Sequence, residues 1–324
     1  MRGGLDLGGT KIQAVVCDDE HRVVGQSRRE TPQEGGPPDV VEALAAALEE
    51  AAADAGVQVS ELEGVGVGSP GAVDAQAGTV GEASNLPGFG DPFPLAGALA
   101  DRLGVRVRLG NDVSAGVAAE FELGAARDAD SLLGVFWGTG VGGGIVLDGK
   151  QWVGRGAAGE IGHVVVKRGG ARCACGRRGC MEAYAGRRGM EREARRLVKR
   201  GEQTALFEIM EERGRDRLAS GVWARALKQR DPMAIALVDR AIKALGAGIA
   251  SSINLLDVGT VVIGGGLGTR LGEPYVHRIE AAMLPHLFVD ERPPEVKLAE
   301  LGDLGGAIGA TLLLEQPAGE PARA

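Results

Sequence analysis

Cysteine is scarce in this chain, with 4 in 324 residues, and the scarcity excludes a disulfide framework as the means of stabilising the fold. Aromatic residues make up only 3%, too few for a surface that stacks single-stranded bases. Positive charge is in deficit: 36 Lys and Arg stand against 44 Asp and Glu, and the net charge of −8 argues against broad binding to nucleic acid or to an anionic membrane. No apolar run reaches the ~18 residues needed to cross a bilayer. The first residues, MRGGLDLGGTK, show no signal-peptide pattern, so the reading is a cytoplasmic protein without a membrane partner. What the chain has in excess is glycine. Its 54 glycines are about twice the usual ~7% share, lack the Gly-X-Y period of collagen, and gather at the ends of short apolar runs.

That placement reveals a repeat. Apolar GLDL breaks at Gly8-Gly9-Thr10, resumes as IQAVVCD, turns and continues as RVVGQ, which predicts two or three antiparallel strands behind a glycine turn. An alanine-rich helix over 39–55 and a short buried strand in GVGVGSPG follow. PLAGALADRLG reads as a helix, VRVRL as a strand, and NDVSAGVAAEFELGAA as a helix opened by a polar cap. The second half begins again with LLGVFW, GTGVGGG and IVLDGK. Setting Gly138 on Gly8 places Asp148 on Asp18 and Phe136 on Asp6. A long helix from Asp231 to Asp257 then leads into GTVVIGGGLG. Two copies of one strand-hairpin-helix unit predict two related α/β domains whose glycine turns meet at a ligand cleft. Cys17 reads as a small core residue on its strand.

Backbone N–H groups at such turns can cradle phosphate oxygens, and a carboxylate beside one of them, Asp6, suggests a magnesium ion. Gly138, Gly140 and Gly143 also fit the spacing of a dinucleotide fingerprint, with Glu160 about 20 residues on. That pattern must open a helix, however, and the residues after it read as a strand and hairpin. Asp112 follows VRVRL at a strand end, where a carboxylate can take the proton of an attacking hydroxyl. Asn111 or Asp112 could equally cap the helix that follows.

Between 159 and 186 runs GEIGHVVVKRGGARCACGRRGCMEAYAG. His163, Cys173, Cys175 and Cys180 offer one imidazole and three sulfurs, which fill a closed tetrahedral zinc site of structural type. A redox pair is the rival, but CxC lacks the CxxC spacing and leaves a third cysteine over. Glu160 and Glu182 flank these ligands, so fixing the loop fixes both carboxylates. The free nitrogen of His163 could then bond outward. The arginines of 168–200, among them Arg177, Arg178, Arg195 and Arg196, read as a solvated helix face.

Taken together, DLGGTK, GTGVGGG, GEIGH followed by CACGRRGCMEAY, INLLD and VVIGGG resemble the ROK family (repressor, open reading frame, kinase) over nearly the whole chain. The resemblance implies a duplicated ribonuclease-H-like, actin/hexokinase-type fold of two domains with a cleft and a zinc-binding loop. It divides the chain into a small domain 1–112, completed by a C-terminal helix at about 304–316, a large domain 113–303 with the zinc loop 163–180, and a frayed tail 317–324. It implies ATP-dependent phosphorylation of a hexose, with glucose favoured because CGRRGCMEAYAG is most similar to glucokinase members. N-acetylhexosamine (GlcNAc or ManNAc) and fructose kinases are the nearest rivals, with a non-catalytic sugar-binding regulator behind them.

Position by position, Asp6, Gly8, Gly9, Thr10 and Lys11 fall on the family's first phosphate motif, and Gly138, Thr139, Gly140 and Gly143 on the second. Gly264, Gly265, Gly266 and Leu267 fall on its adenosine motif. Asp112 falls on its general base, and Gly71, Asn85, Asn111, Asp112, Glu160, His163 and Glu182 on its sugar contacts. ATP, Mg2+ and a structural Zn2+ are the implied cofactors, with a homodimer or homotetramer as the assembly. Val113-Ser114 and Val258 depart from common family residues without removing a catalytic group. The family's repressor branch adds an N-terminal DNA-binding module, for which the five residues before Asp6 leave no room.

Overall fold

In the computed structural model, which describes residues 1–83 and 85–315, the repeat seen in the sequence is a repeat of sheet topology. The first copy contains β1 (Arg2–Leu7), β2 (Lys11–Cys17) and β3 (Val23–Glu30), then α1 (Pro37–Asp54) and β4 (Val65–Ser69). A small hairpin of β5 (Ala72–Asp74) and β6 (Thr79–Gly81) follows, then α2 (Leu95–Leu103), β7 (Val107–Asn111) and α3 (Asp112–Glu122). Its five-stranded sheet has the order β3-β2-β1-β4-β7, antiparallel among the first three and parallel across β1, β4 and β7.

The second copy contains β8 (Leu132–Trp137), β9 (Val141–Leu147) and β10 (Lys150–Gln151). Four helices follow: α4 (Glu182–Ala185), α5 (Arg187–Val198), α6 (Leu206–Glu212) and α7 (Ser220–Lys228). The copy ends with α8 (Pro232–Leu256), β11 (Thr260–Gly264), α9 (Gly265–Leu271), α10 (Glu273–Met283) and β12 (Glu295–Leu298). The order β10-β9-β8-β11-β12 reproduces that of the first sheet, with the same parallel and antiparallel senses. The strand β9 after the second glycine turn removes the dinucleotide reading, which required a helix there.

The chain forms two compact units, one of Met1–Arg127 with the segment that begins at Asp303, the other of Asp128–Gly302. The division therefore falls after Arg127 and not after Asp112. The reason is α11 (Gly305–Leu312), a helix of small residues laid directly on the first sheet. A methyl group at Gly4 of β1 would stand 2.0 Å from the Ala307 carbonyl oxygen, and one at Gly66 of β4 would stand 1.7 Å from that of Ala310. The other flank of α11 meets α3 as closely: a methyl at Gly309 would lie 2.0 Å from the Ala115 carbonyl oxygen. Helix α3 is thus part of the first unit's core. Residues 317–324, expected to fray, lie outside the described residues, as does position 316.

The sheet's other face is covered by α1, whose Val40, Val41, Leu44, Ala47, Leu48 and Ala51 recur at helical spacing and are all buried. In the second unit α8 runs between the two aspartates that bounded it in the sequence. Asp231 caps its start by accepting the Ala234 N–H at 2.7 Å, and Asp257 ends it in a left-handed conformation (φ 50°). Cys17 is buried in the core, as its strand position implied. Among the described residues no helix is long and apolar enough to cross a membrane.

Candidate functional site

The first glycine turn joins β1 to β2, and its carbonyls are held from behind. Thr31 Oγ1 donates to the Gly8 carbonyl at 2.6 Å and Gln33 Nε2 to that of Gly9 at 3.0 Å. Gly9 lies against Asn85: a methyl group there would stand 2.8 Å from Asn85 Nδ2, so a residue proposed for the sugar and one proposed for phosphate are neighbours. Lys11 pairs with Asp303 at 3.2 Å. Gly71 is a left-handed turn (φ 90°) packed on the Gly81 carbonyl.

Asp6 is the next-to-last residue of β1, opposite Gln13 of β2 and beside Gly68 of β4. Gly68 in turn backs onto Asp112, whose Cα would be 3.1 Å from a methyl group there. The two carboxylates therefore gather at the carboxyl ends of parallel strands, where open α/β sheets bind ligands. Burial pushes the Asp6 carboxyl up to about 7, and the charge of Asp112 adds to the rise while Lys11 opposes it. Asn111 is the N-cap of α3, its Oδ1 accepting the Ser114 N–H at 3.0 Å, and Asp112 Oδ1 accepts the Val113 N–H at 2.9 Å. The capping alternative is thus realised by Asn111, and the cap sets Asp112 at the first position of the helix.

A divalent cation fits this corner by the chemistry of its donors. Gln13 is buried, gives its Nε2 to the Asp303 carbonyl at 3.2 Å, and leaves Oε1 with no partner beside the Asp6 position. An orphaned acceptor beside the Asp6 carboxylate suits a hydrated magnesium ion.

The second turn is built differently. The first N–H groups of α5 close on it, Arg187 donating to the Gly138 carbonyl and Arg188 to that of Thr139, each at 3.1 Å. The Arg187 guanidinium reaches Thr139 Oγ1 at 2.6 Å. Desolvation by burial draws the Arg187 pKa downward. Gly138 has open space on its α-carbon, the nearest atom to an added methyl being Gly266 N at 3.8 Å. Gly266 in turn has Ser220 Oγ 3.7 Å from its own added methyl, so the second phosphate motif, the adenosine motif and the start of α7 share one corner. Leu267 is buried beneath it, Gly264 packs on Phe136, and Gly265 (φ 78°) turns the chain into α9. Phe136 explains why this copy has no counterpart of Asp6.

Gly140 and Gly143 face protein. A methyl at Gly140 would stand 2.2 Å from Glu182 Oε2, and one at Gly143, within β9, would meet the Gly159 carbonyl at 2.7 Å. Glu182 begins α4 and uses both oxygens: Oε2 accepts the Val141 N–H at 3.1 Å, and Oε1 lies 3.5 Å from Cys173 Sγ. The carboxylate thus joins the glycine turn to the cysteine loop.

That loop brings the ligand atoms of His163, Cys173, Cys175 and Cys180 within 4.8 Å of one another. Cys175 and Cys180 sulfurs are 3.7 Å apart, and Cys173 Sγ is 3.9 Å from His163 Nδ1. A zinc ion with bonds of about 2.3 Å to sulfur has tetrahedral edges of about 3.7 Å, so the donor set fits in kind and in spacing. Gly176 (φ 86°) makes the turn between Cys175 and Cys180. The Cys173 thiol is pushed up to about 12, chiefly by burial. With Nδ1 on the cysteines, His163 turns Nε2 outward to Glu160 Oε2 at 3.8 Å, and Glu160 itself is exposed.

Sequence reasoning missed Arg187, Gln13, Thr31 and Gln33. None sits in a glycine or cysteine motif, and each acts by reaching a backbone or side-chain group distant in sequence.

Two duplicated five-stranded sheets, a glycine turn in each, and a Cys3His loop define an actin/hexokinase-type protein of the zinc-loop kind. The chain belongs to the ROK family, whose description matches residues 2–317. It is 32% identical over 322 residues to a glucokinase of Thermotoga maritima, covering 98% of each chain. It is 33% identical over 322 residues to an N-acetylgalactosamine kinase of a Shewanella species, covering 97% of this chain and 96% of the other. The solved structure of a ROK family glucokinase from Streptomyces griseus in complex with glucose and AMPPNP superposes with a TM-score of 0.81 at 32% identity, covering 96% of this chain and 98% of that one.

Proposed function

We propose that this chain is an ATP-dependent hexose kinase that converts glucose to glucose 6-phosphate. The observation that carries the reading is the gathering of Asp6 and Asp112 at the carboxyl ends of β1 and β7, the parallel strands on either side of β4, in a chain of this family. The named activities of its glucokinase relatives support the choice of glucose.

Each residue then has a chemical task. Asp112 accepts the proton of the attacking sugar hydroxyl, and its place at the start of a capped helix fixes the direction of its carboxylate. Asp6 would hold a magnesium ion directly or through water, and the unpartnered Gln13 Oε1 would be free to accept from such a water. Magnesium, when bound, offsets charge on the phosphates. Gly8, Gly9, Thr10 and Lys11 from the first unit, and Gly138 and Thr139 from the second, present backbone and side-chain donors to phosphate oxygens. Gly264, Gly265, Gly266 and Leu267 border the nucleoside. Gly71, Asn85 and Asn111 in the first unit, and Glu160, His163 and Glu182 in the second, are the sugar-facing groups. His163, Cys173, Cys175 and Cys180 would hold a zinc ion whose place would be structural, keeping the imidazole and the two glutamates in position and outside the bond-breaking step.

A coupled assay of ADP release over glucose, mannose, fructose, N-acetylglucosamine, N-acetylmannosamine and N-acetylgalactosamine tests the reading. Glucose is expected to give the highest kcat/KM. Preference for an N-acetylhexosamine moves the substrate to the class named for the Shewanella relative, and absence of turnover with every sugar overturns the kinase reading.

A further inference from the structure

Helix α5 also carries a cluster of charge along one side. Arg188, Glu191, Arg192 and Arg195 stand at helical spacing on one side of it and, with Arg217, line a cavity of about 410 Å3. Four guanidinium groups and one carboxylate meet here in a chain whose net charge is −8. The carboxylate is fully occupied. Glu191 Oε1 accepts Arg195 Nε at 3.0 Å and Nη2 at 2.8 Å, and Oε2 accepts the Leu218 N–H at 3.2 Å. Arg195 is also laid over the Phe207 ring, 4.9 Å from its centre.

The other three cations remain uncompensated. Arg192 gives Nη2 to the Arg172 carbonyl at 3.3 Å, which offers no charge, and Arg188 and Arg217 are exposed and form no ion pair among the described residues. Three exposed guanidinium groups around one hollow offer an anion several donors with no carboxylate competing for them. Guanidinium forks match phosphate oxygens in pairs, and an anion of two or more charges satisfies several forks at once.

We propose that this cavity is an effector site for a phosphate-bearing small anion, separate from the site of phosphoryl transfer. Separation rests on the lining. No residue of the Gly138–Gly140 turn lines the cavity, and neither does Arg187, whose guanidinium bonds Thr139. Communication rests on α5 itself, whose first N–H groups hold the carbonyls of Gly138 and Thr139. An anion seated on Arg188, Arg192 and Arg217 loads the helix that positions the turn. That the turn serves the phosphoryl donor rests on the function proposed above, whereas the charge of the cavity does not.

The test is calorimetric titration of the full chain, first alone and then saturated with AMPPNP and magnesium, using inorganic tripolyphosphate and glucose 6-phosphate as probes and sulfate as a control. One equivalent of a phosphate probe is expected to bind in the presence of saturating AMPPNP. Its affinity should fall about tenfold or more in Arg192→Ser/Arg217→Ser and several-fold in the exposed Arg217→Ser alone, with ATP turnover within about twofold of the parent. The tighter of the two probes identifies the source, a sugar phosphate or an inorganic polyphosphate. Loss of probe binding when AMPPNP is present, or equal affinity in the parent and both variants, overturns the proposal. Failure of AMPPNP to bind would instead count against the kinase reading, and the titration without nucleotide would still report on the cavity.

Discussion

Glu182 places one carboxylate oxygen 3.5 Å from Cys173 Sγ and the other 3.1 Å from the Val141 N–H, so a single side chain spans the cysteine loop and the second glycine turn. Removing its charge while keeping its shape separates the two ends. Glu182→Gln is expected to retain zinc and fold, and to lower kcat/KM for the sugar by about 10- to 100-fold, the worth of a hydrogen bond to a charged group. Metal analysis beside steady-state kinetics reads both effects.

Zinc itself should act at a distance. Chelation, or Cys175→Ser, is expected to remove one zinc per chain, to lower the melting temperature and to weaken sugar binding, because His163, Glu160 and Glu182 lose their fixed frame. Sugar affinity that is unchanged after complete loss of metal would refute the positioning role of the loop.

The glycines of the second turn should respond unequally. Gly140→Ala drives a methyl group to 2.2 Å from Glu182 Oε2, a carboxylate held by the Val141 N–H and beside Cys173 Sγ, so its displacement costs those contacts and is expected to destabilise the fold by about 1–3 kcal/mol. Gly138→Ala meets nothing nearer than 3.8 Å and should leave stability almost unchanged while raising the KM for ATP. Thermal melts and nucleotide kinetics of the two variants distinguish a packing glycine from a phosphate glycine.

Asp6 gives a pH signature in the metal-free, nucleotide-free protein. Its carboxyl is raised from 3.8 to about 7, so between those values the folded state keeps a proton that the unfolded chain releases. Stability is therefore lost as pH rises through this window, by at most on the order of 4 kcal/mol, and the loss is complete above about 7. Asp6→Asn removes the ionisation. In EDTA its melting temperature, relative to the parent, should be higher at pH 8 than at pH 5, and a difference that does not change with pH would contradict the account.

Much of this was legible in the sequence because the relevant signals are local. The doubled strand-turn-strand pattern gave the two sheets, Asp231 and Asp257 bounded α8 as its caps, and the crowding of Cys173, Cys175 and Cys180 marked the loop. The unit boundary was not legible: whether α3 belongs to the first sheet depends on α11, nearly 200 residues later, and on the space left by Gly66 and Gly309. The purpose of a glycine was equally hidden. Gly138 and Gly140 look alike in GTGVGGG, yet one faces open space and the other Glu182. The arginines of α5 read as a solvated face, and only the packing of Glu191 against Arg195 and Leu218 shows three of their neighbours left without a counter-charge.

The most direct test of the central claim is the turnover of Asp112→Asn with glucose and ATP, with nucleotide and sugar binding measured on the same preparation. Loss of the proton acceptor predicts a fall in kcat of about 10²- to 10⁴-fold with both ligands still bound. Turnover equal to that of the parent would contradict the assignment of Asp112 as the general base and, with it, the mechanism built around the paired carboxylates.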